Sequence, residues 1–191
     1  MRLNSEESLL LVVDLQAGLL PVVDGGEQAV AEAAWLGGIA CALSVPVWLT
    51  EQNPEGLGGS DPRLLTALPD HLRWQKTHFN AHAEPEFAAA LEQSGRRQIV
   101  LCGSEAHICV LQTGLGLLEA GYALYWLCEA TVSRRAEEAR LARERVVSAG
   151  AVPVSADMVA YEWLERCDGE RFRQLHKAFL KPRSSRPLRF F

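Results

Sequence analysis

A cysteine at the start of a predicted helix is the residue best placed for covalent chemistry. Cys109 lies in the segment Leu101-Cys-Gly-Ser-Glu-Ala-His-Ile-Cys109-Val-Leu-Gln-Thr113, directly after an apolar run. The unpaired amides of a helix N-terminus favour the thiolate, which is the nucleophilic form of cysteine. The alternative is a buried small apolar residue, and we assign that role to Cys41, Cys102 and Cys128 because their flanks are apolar.

Two further residues could assist a thiol nucleophile, and each lies at the end of a predicted strand. Asp14 comes directly after Leu9–Val13 and could accept a proton, although a turn residue or helix cap is the alternative. Lys76 follows Leu72–Gln75 and is one of three lysines against sixteen arginines. Lysine is the cation whose pKa shifts readily on burial, whereas a solvated strand-end lysine is the alternative. The sequence thus offers a base and a cation for Cys109.

Other kinds of chemistry find less support in the residue pattern. His78 and His82 are four residues apart and could share a helix face, but no third metal ligand follows from the spacing, so we expect no metal and no other cofactor. His107 lies two residues before Cys109, and at that spacing helical side chains point apart. The first apolar run is not followed by G-x-G-x-x-G, and an aspartyl phosphatase would need a carboxylate at Gln16.

Apolar runs rich in β-branched residues alternate with stretches of helical period, which is the pattern of βαβ units with a parallel sheet. We predict strands near Leu9–Val13, Val45–Leu49, Arg73–Gln75, Gln98–Cys102, Ala123–Leu127 and Val152–Val154. Helices are predicted over Gly26–Leu43, Glu84–Gln93, Ala106–Glu119, Arg134–Ser148, Ala156–Leu164 and Gly169–Leu180. In an open sheet of this kind ligands bind outside the carboxyl ends of the strands. The predicted fold class is therefore α/β, with a doubly wound sheet.

The chain divides into one predicted domain, residues 1–180, and a tail, residues 181–191, which is apolar enough at its end to dock on a neighbouring copy. The long segment Glu51–Asp70 is rich in proline and glycine, and long loops in compact domains are more often functional than idle. Whether it closes as a lid over a site is left open.

Composition narrows the range of partners. The chain has 191 residues, 48% of them apolar and 23% charged, with a formal net charge of −5. Basic residues form no long run before the tail, so we expect a small-molecule partner and no nucleic acid. The five-residue run Leu9–Val13 is too short for a membrane span. Five cysteines without a C-x-x-C pair favour a reducing, cytoplasmic setting.

Three segments, in order, resemble the isochorismatase-like cysteine hydrolases. They are Leu9-Leu-Leu-Val-Val-Asp14-Leu-Gln16, Lys76-Thr-His-Phe79, and Gly103-Ser-Glu-Ala-His-Ile-Cys109-Val-Leu-Gln-Thr113 followed by Leu117-Leu-Glu-Ala-Gly-Tyr122. The third is the specific one, and the likeness extends from Ser8 to about Tyr161. It implies a Rossmann-like, six-stranded, mainly parallel sheet with helices on both faces, in a protein that forms homo-oligomers.

The resemblance also implies roles for individual residues. Asp14 would accept the thiol proton, Lys76 would support the thiolate, and Cys109 would attack a carbonyl-type carbon. A cis peptide bond would lie between Ser104 and Glu105, and the amides of Glu105 and Cys109 would form an oxyanion hole. The expected lining of the substrate pocket is Gln52, Phe79 and Asn80.

Departures from better-known relatives narrow the expected reaction. Members of the family that cleave isochorismate, a vinyl ether, do not depend on the cysteine, so Cys109 indicates hydrolysis of a C–N bond through a thioester. Nicotinamidases carry an Asp-x-His metal motif where this chain has Thr50-Glu-Gln-Asn53. The segment Thr50-Glu-Gln-Asn-Pro-Glu-Gly-Leu-Gly58 is most similar to the isochorismatase-domain subgroup.

Two other functional classes stay open on the sequence. One is a catalytically idle oligomeric or binding protein that keeps the fold, in which Cys109 would be no more reactive than the other cysteines. The other is a redox-sensing thiol protein, in which Cys109 would need a resolving partner such as Cys102 or Cys128.

Overall fold

The sheet has six strands, all parallel, in the order β3-β2-β1-β4-β5-β6. The structure is a computed structural model that describes residues 2–191. The strands are β1 Ser8–Val13, β2 Val47–Gln52, β3 Leu72–Lys76, β4 Gln98–Gly103, β5 Ala123–Thr131 and β6 Val152–Val154. The α/β prediction is confirmed. Every residue of β1 and β4 is buried, as expected for strands covered on both faces.

Helices cover both faces of the sheet. The α-helices are α1 Gly26–Ala42, α2 Pro54–Leu57, α3 Pro62–Ala67, α4 Pro85–Gln93, α5 Leu111–Glu119, α6 Ala136–Ser148, α7 Ala156–Leu164, α8 Gly169–Leu175 and α9 Lys181–Arg183. Right-handed crossovers place α1 on one face, where α3 and α7 pack against it, and α5 and α6 together on the other. A π-helical turn, Ala106–Val110, precedes α5. No helix among residues 2–191 is both long and apolar enough to span a bilayer.

The segment Glu51–Asp70 is more regular than its composition predicts. Its first two residues, Glu51 and Gln52, belong to β2, and the helices α2 and α3 follow. The N-terminus of α3 is capped by Asp61, whose side chain accepts from the amide of Arg63, while Pro62 supplies a residue that needs no amide partner. The two helices in this segment are too short to show a helical period in the sequence, and local capping residues determine where α3 begins.

Part of the chain's end packs on its own domain. Phe191 is 6% exposed, and its amide donates to the Cys128 carbonyl at 3.1 Å. The Phe191 ring lies against Gly25, where a Cβ would come within 2.3 Å of a ring carbon. Phe190, by contrast, is 57% exposed. The tail is a strap across α1 and the carboxyl end of β5.

A buried ion cluster anchors this strap. The Arg183 guanidinium has a side-chain exposure of 2% and lies 2.7 Å from Glu32 on α1 and 2.9 Å from Glu129 on β5, both fully buried. The Arg183 guanidinium also lies over the Trp35 ring, 4.3 Å from its centroid. Losing Arg183 would leave two carboxylates in the interior without their shared cation.

Candidate active site

The residues that the sequence singles out meet where the strand order reverses. Asp14 follows β1, and the segment carrying Cys109 follows β4, which is the next strand along the sheet. The crevice between strands that lead to opposite sides is where α/β sheets bind ligands. Close approach is needed here: Gly103 has φ +139°, and a Cβ on it would lie 1.9 Å from the Val13 carbonyl oxygen.

Asp14 is held in a strained and fully buried position. Its φ of 52° is in the left-handed region, and its side chain has 0% exposure. The Thr50 hydroxyl donates to Oδ1 at 2.6 Å, and Oδ2 lies 2.7 Å from Lys76 Nζ. The Ser104 hydroxyl donates to the Asp14 carbonyl at 2.7 Å. Strained backbone that the surroundings over-determine is typical of functional sites.

Lys76 closes the other side of this pair. Its side chain is 1% exposed, and besides Asp14 its ammonium donates to Gln52 Oε1 at 2.6 Å. The carbonyl oxygens of His78 and Phe79 lie 3.4 Å from Nζ. Four oxygens therefore surround the buried ammonium, one of them from a carboxylate and the rest accepting hydrogen bonds, and these contacts offset the cost of its burial.

Cys109 lies beside this ion pair on the π-helical turn. The thiol is 6% exposed, and Sγ is 4.0 Å from Gln52 Oε1. Burial, followed by the negative charge of Asp14, raises the pKa of Cys109 to about 12, while Lys76 opposes this shift only in part. The argument from the helix N-terminus, which favoured a thiolate, was therefore wrong for the resting protein. Lys76 offsets only part of the effect of Asp14, and burial is the largest cause of the raised pKa of the thiol.

The three residues expected to line the substrate pocket make different contacts. Gln52 joins the cluster through Lys76 and Cys109, and its amide nitrogen donates to the Thr77 carbonyl at 2.8 Å. Phe79 contributes its carbonyl to the ammonium, while its ring is half-exposed. Asn80 accepts from the amide of His82 and packs against α5, which gives it a local structural role.

The peptide bond between Ser104 and Glu105 is cis, as the family resemblance implied. Among residues 2–191, the amides of Glu105 and Cys109 donate no hydrogen bond to another strand, helix or loop. Both amides belong to the turn that carries the thiol, with Glu105 as its N-cap residue.

Sequence reasoning missed two residues that order this site. Thr50 is paired with Val13 across β1 and β2, which brings its hydroxyl to Asp14. Gln16 accepts from the amide of Gln52 at 2.8 Å and donates to the carbonyls of Gln52 and Gly58. The strand register supplied the only signal for Thr50, and the register is not readable before the sheet is known.

The two histidines considered as metal ligands do not converge. His78 Nδ1 lies 3.0 Å from Glu84, and the His82 ring packs edge-on against Tyr122. Residues 2–191 contain no cluster of three His, Cys, Asp or Glu side chains arranged to hold a metal ion. His107 contacts Ser133, Glu105 and Glu138.

Comparison with known proteins gives one family. The family model for the isochorismatase domain matches residues 8–158. Isochorismatase domain-containing protein 2 of Xenopus laevis is 30% identical over 182 residues, covering 95% of this chain and 87% of that protein. The structure of MAR1 ribonuclease from Caenorhabditis elegans superposes with a TM-score of 0.88 at 29% identity, over 94% of this chain and 93% of that one.

A second structural relative is YcaC from Pseudomonas aeruginosa, solved with hexane-2,5-diol and covalent acrylamide. Its TM-score is 0.84 at 25% identity, covering 96% of this chain and 94% of that one. The fold and the buried Asp–Lys–Cys cluster thus define a doubly wound α/β protein with its site at the strand-order reversal. The chain belongs to the isochorismatase-like hydrolase family.

Proposed function

We propose that this protein is a cysteine-dependent hydrolase that cleaves a C–N, amide-type bond of a small molecule through a thioester. The observation that carries the proposal is the convergence of a thiol, a carboxylate and an ammonium. Asp14 and Lys76 lie 2.7 Å apart, and Gln52 contacts both Lys76 and Cys109. An ion pair this deeply buried is costly, and beside a thiol it can serve proton transfer.

Each member of the cluster has a distinct role in the proposed mechanism. The Cys109 sulfur attacks the carbonyl carbon while its proton passes to Asp14. The oxyanion that forms accepts from the amides of Glu105 and Cys109. Collapse of this intermediate breaks the C–N bond, and Asp14 returns the proton to the leaving amine. Water, deprotonated by Asp14, then hydrolyses the thioester and regenerates the thiol.

The raised pKa of the thiol supports this order of events. A group that stays protonated at rest cannot attack until a base removes its proton, so proton transfer and attack must be coupled. The Lys76 ammonium, 2.7 Å from Asp14, stabilises the negative charge as it moves between Asp14 and the sulfur. We further propose that Gln52 and the exposed Phe79 ring contact the substrate, with Asn80 shaping the wall behind them.

The proposal is tested by acyl transfer from p-nitrophenyl acetate, followed by a screen of small amides. The wild type should release p-nitrophenolate in a burst and carry an acetyl group on Cys109, located by mass spectrometry. Cys109→Ser should lose the burst, whereas Cys102→Ser, at another buried thiol, should keep it. Acrylamide, found covalently bound in the P. aeruginosa relative, is a second probe. Absence of any Cys109 adduct with either probe would favour the catalytically idle scaffold instead.

RNA is the second candidate substrate, because the C. elegans relative, 29% identical, is described as a ribonuclease. The net charge of −5 and a nucleophile suited to carbonyl carbon favour a small molecule. A fluorescent single-stranded RNA incubated with the wild type and with Cys109→Ser decides between them. RNA cleavage that survives in Cys109→Ser would indicate that the active residues lie outside this cluster.

We also infer that the protein forms homo-oligomers and resides in the cytoplasm. Met158 and Tyr161 on α7 are 56% and 50% exposed, which gives one helix an apolar outer face. All five cysteines are unpaired, as in reducing compartments. A monomeric mass by light scattering, or recovery of the protein outside the cytoplasmic fraction, would contradict these inferences.

A further inference from the structure

The segment that follows β5, residues 132–134, is hydrogen-bonded to the turn that follows β4. The amide of Val132 donates to the Gly103 carbonyl at 3.0 Å, and the Val132 carbonyl accepts from the amide of Ala106 at 2.8 Å. The Ser133 hydroxyl accepts from the amide of His107 at 3.3 Å and lies 2.9 Å from its Nδ1. These contacts fix both ends of the turn that includes Glu105.

Glu105 itself is held by a single cation. Its side chain is 4% exposed, and the Arg134 Nε donates to Oε1 at 2.7 Å while the Arg134 amide donates to Oε2 at 2.9 Å. His107 Nδ1 lies 3.6 Å from the same carboxylate. The Arg134 side chain is 47% exposed, so its outer part stays in solvent. One residue thus orients both oxygens of a carboxylate that the fold buries.

We propose that Arg134 is a positioning residue that sets the geometry and the electrostatics of the oxyanion-binding amides through Glu105. This inference rests on the proposed function, because it concerns the amides of Glu105 and Cys109. Arg134 does not touch the substrate; it acts on the turn that holds the donors.

Two physical effects support this role. The first is orientation: without the Arg134 guanidinium the buried carboxylate loses its charge-assisted hydrogen bond from Nε and keeps only the bond from the residue-134 amide, so Glu105 is held less firmly. The second is charge: an uncompensated carboxylate on the residue that donates to the oxyanion would repel the negative charge as it develops. Both effects weaken transition-state binding, and neither depends on forming the thiolate.

The experiment compares two reactions of the same thiol. Acylation by p-nitrophenyl acetate passes through an oxyanion, whereas alkylation by iodoacetamide displaces iodide from a saturated carbon and forms none. Arg134→Gln should slow acylation of Cys109 by about tenfold to a hundredfold, because displacing oxyanion donors costs rates on that scale. Alkylation of Cys109 at mildly alkaline pH should change by less than about twofold. Arg140→Gln, on the exposed face of α6, is the matched control and should alter neither rate.

A double variant separates charge from folding. Arg134→Gln together with Glu105→Gln removes the cation and its carboxylate partner together, so no uncompensated charge remains in this turn. The double variant should fold as the wild type does and recover part of the acylation rate lost in Arg134→Gln. Equal losses of acylation and alkylation in Arg134→Gln would assign Arg134 a general structural role and overturn the inference. Unchanged acylation would do the same. If the wild-type Cys109 is alkylated but never acylated, that result contradicts the proposed function, and the inference, which rests on it, is overturned as well.

Discussion

Replacing Asp14 by asparagine should make Cys109 easier to alkylate and, in the same protein, slower to turn over substrate. The negative charge of Asp14 raises the pKa of the thiol, so its removal favours the thiolate. Lys76 would then have the thiolate as the anion nearest to its ammonium. The proposed acyl transfer, however, needs Asp14 as proton acceptor, so the substitution removes the base while it activates the nucleophile.

The size of the effect follows from the contact distance. Charges about 4 Å apart interact by about 4 kcal/mol at an effective dielectric constant near 20, and 1.36 kcal/mol changes the thiolate population about tenfold. With the wild-type pKa at about 12, very little thiolate exists at neutral pH. We therefore expect Asp14→Asn to raise the neutral-pH alkylation rate by about tenfold to a thousandfold, since relaxation around the site absorbs part of the full interaction.

The assay is iodoacetamide labelling followed by mass spectrometry of the Cys109 peptide across a range of pH. Cys167, which is exposed, is the internal reference in every sample. Lys76→Met should shift the Cys109 rate in the opposite direction, because the cation lowers the pKa of the thiol. An Asp14→Asn variant that is folded and alkylates no faster than the wild type would refute the claim that the Asp14 charge keeps the thiol protonated.

Three other predictions concern stability. Hydrogen bonds from the amides of residues 77 and 78 hold the pKa of Glu84 at about 2, below its usual 4.5. The unfolding free energy that this carboxylate contributes is therefore complete above pH 4.5, and it is lost as the pH falls toward 2. Urea unfolding should show Glu84→Gln converging with the wild type in that window, with Glu86→Gln unchanged throughout; a constant gap would contradict this. Gly103→Ala should prevent folding, since its Cβ would overlap a carbonyl of β1. The control Gly95→Ala has φ +68° and open space around the added Cβ, so it should cost only about 1–2 kcal/mol of stability. Similar losses of stability for the two variants in thermal melts would contradict the overlap. Arg183→Met should destabilise by about 3–5 kcal/mol, measured by urea unfolding, because Glu129 loses the cation it pairs with and Glu32 keeps only Arg186. A loss under about 1 kcal/mol would argue against the anchor.

The elements that carry the site were predictable because their signals are local. The predicted strands Leu9–Val13 and Arg73–Gln75, each followed by a charged residue, placed Asp14 and Lys76 at strand ends, and the turn before a helical stretch placed Cys109. The order of these motifs along the chain, together with the rule that ligands bind at the carboxyl ends of parallel strands, predicted that they meet. Gln52 was expected to line the pocket from the family resemblance, and it lies between Lys76 and Cys109.

What the sequence by itself determined, then, is the alternation of strands and helices and the identity of the clustered residues, since both depend on short-range patterns. Only the tertiary structure decided the protonation of Cys109, because burial and the opposing charges of Asp14 and Lys76 depend on distances between elements far apart in the chain. The ion pair between Arg134 and Glu105 and the packing of Phe191 on its own domain also depend on the tertiary structure. Each joins residues whose separation in sequence carries no periodic signal, so packing alone could bring them together.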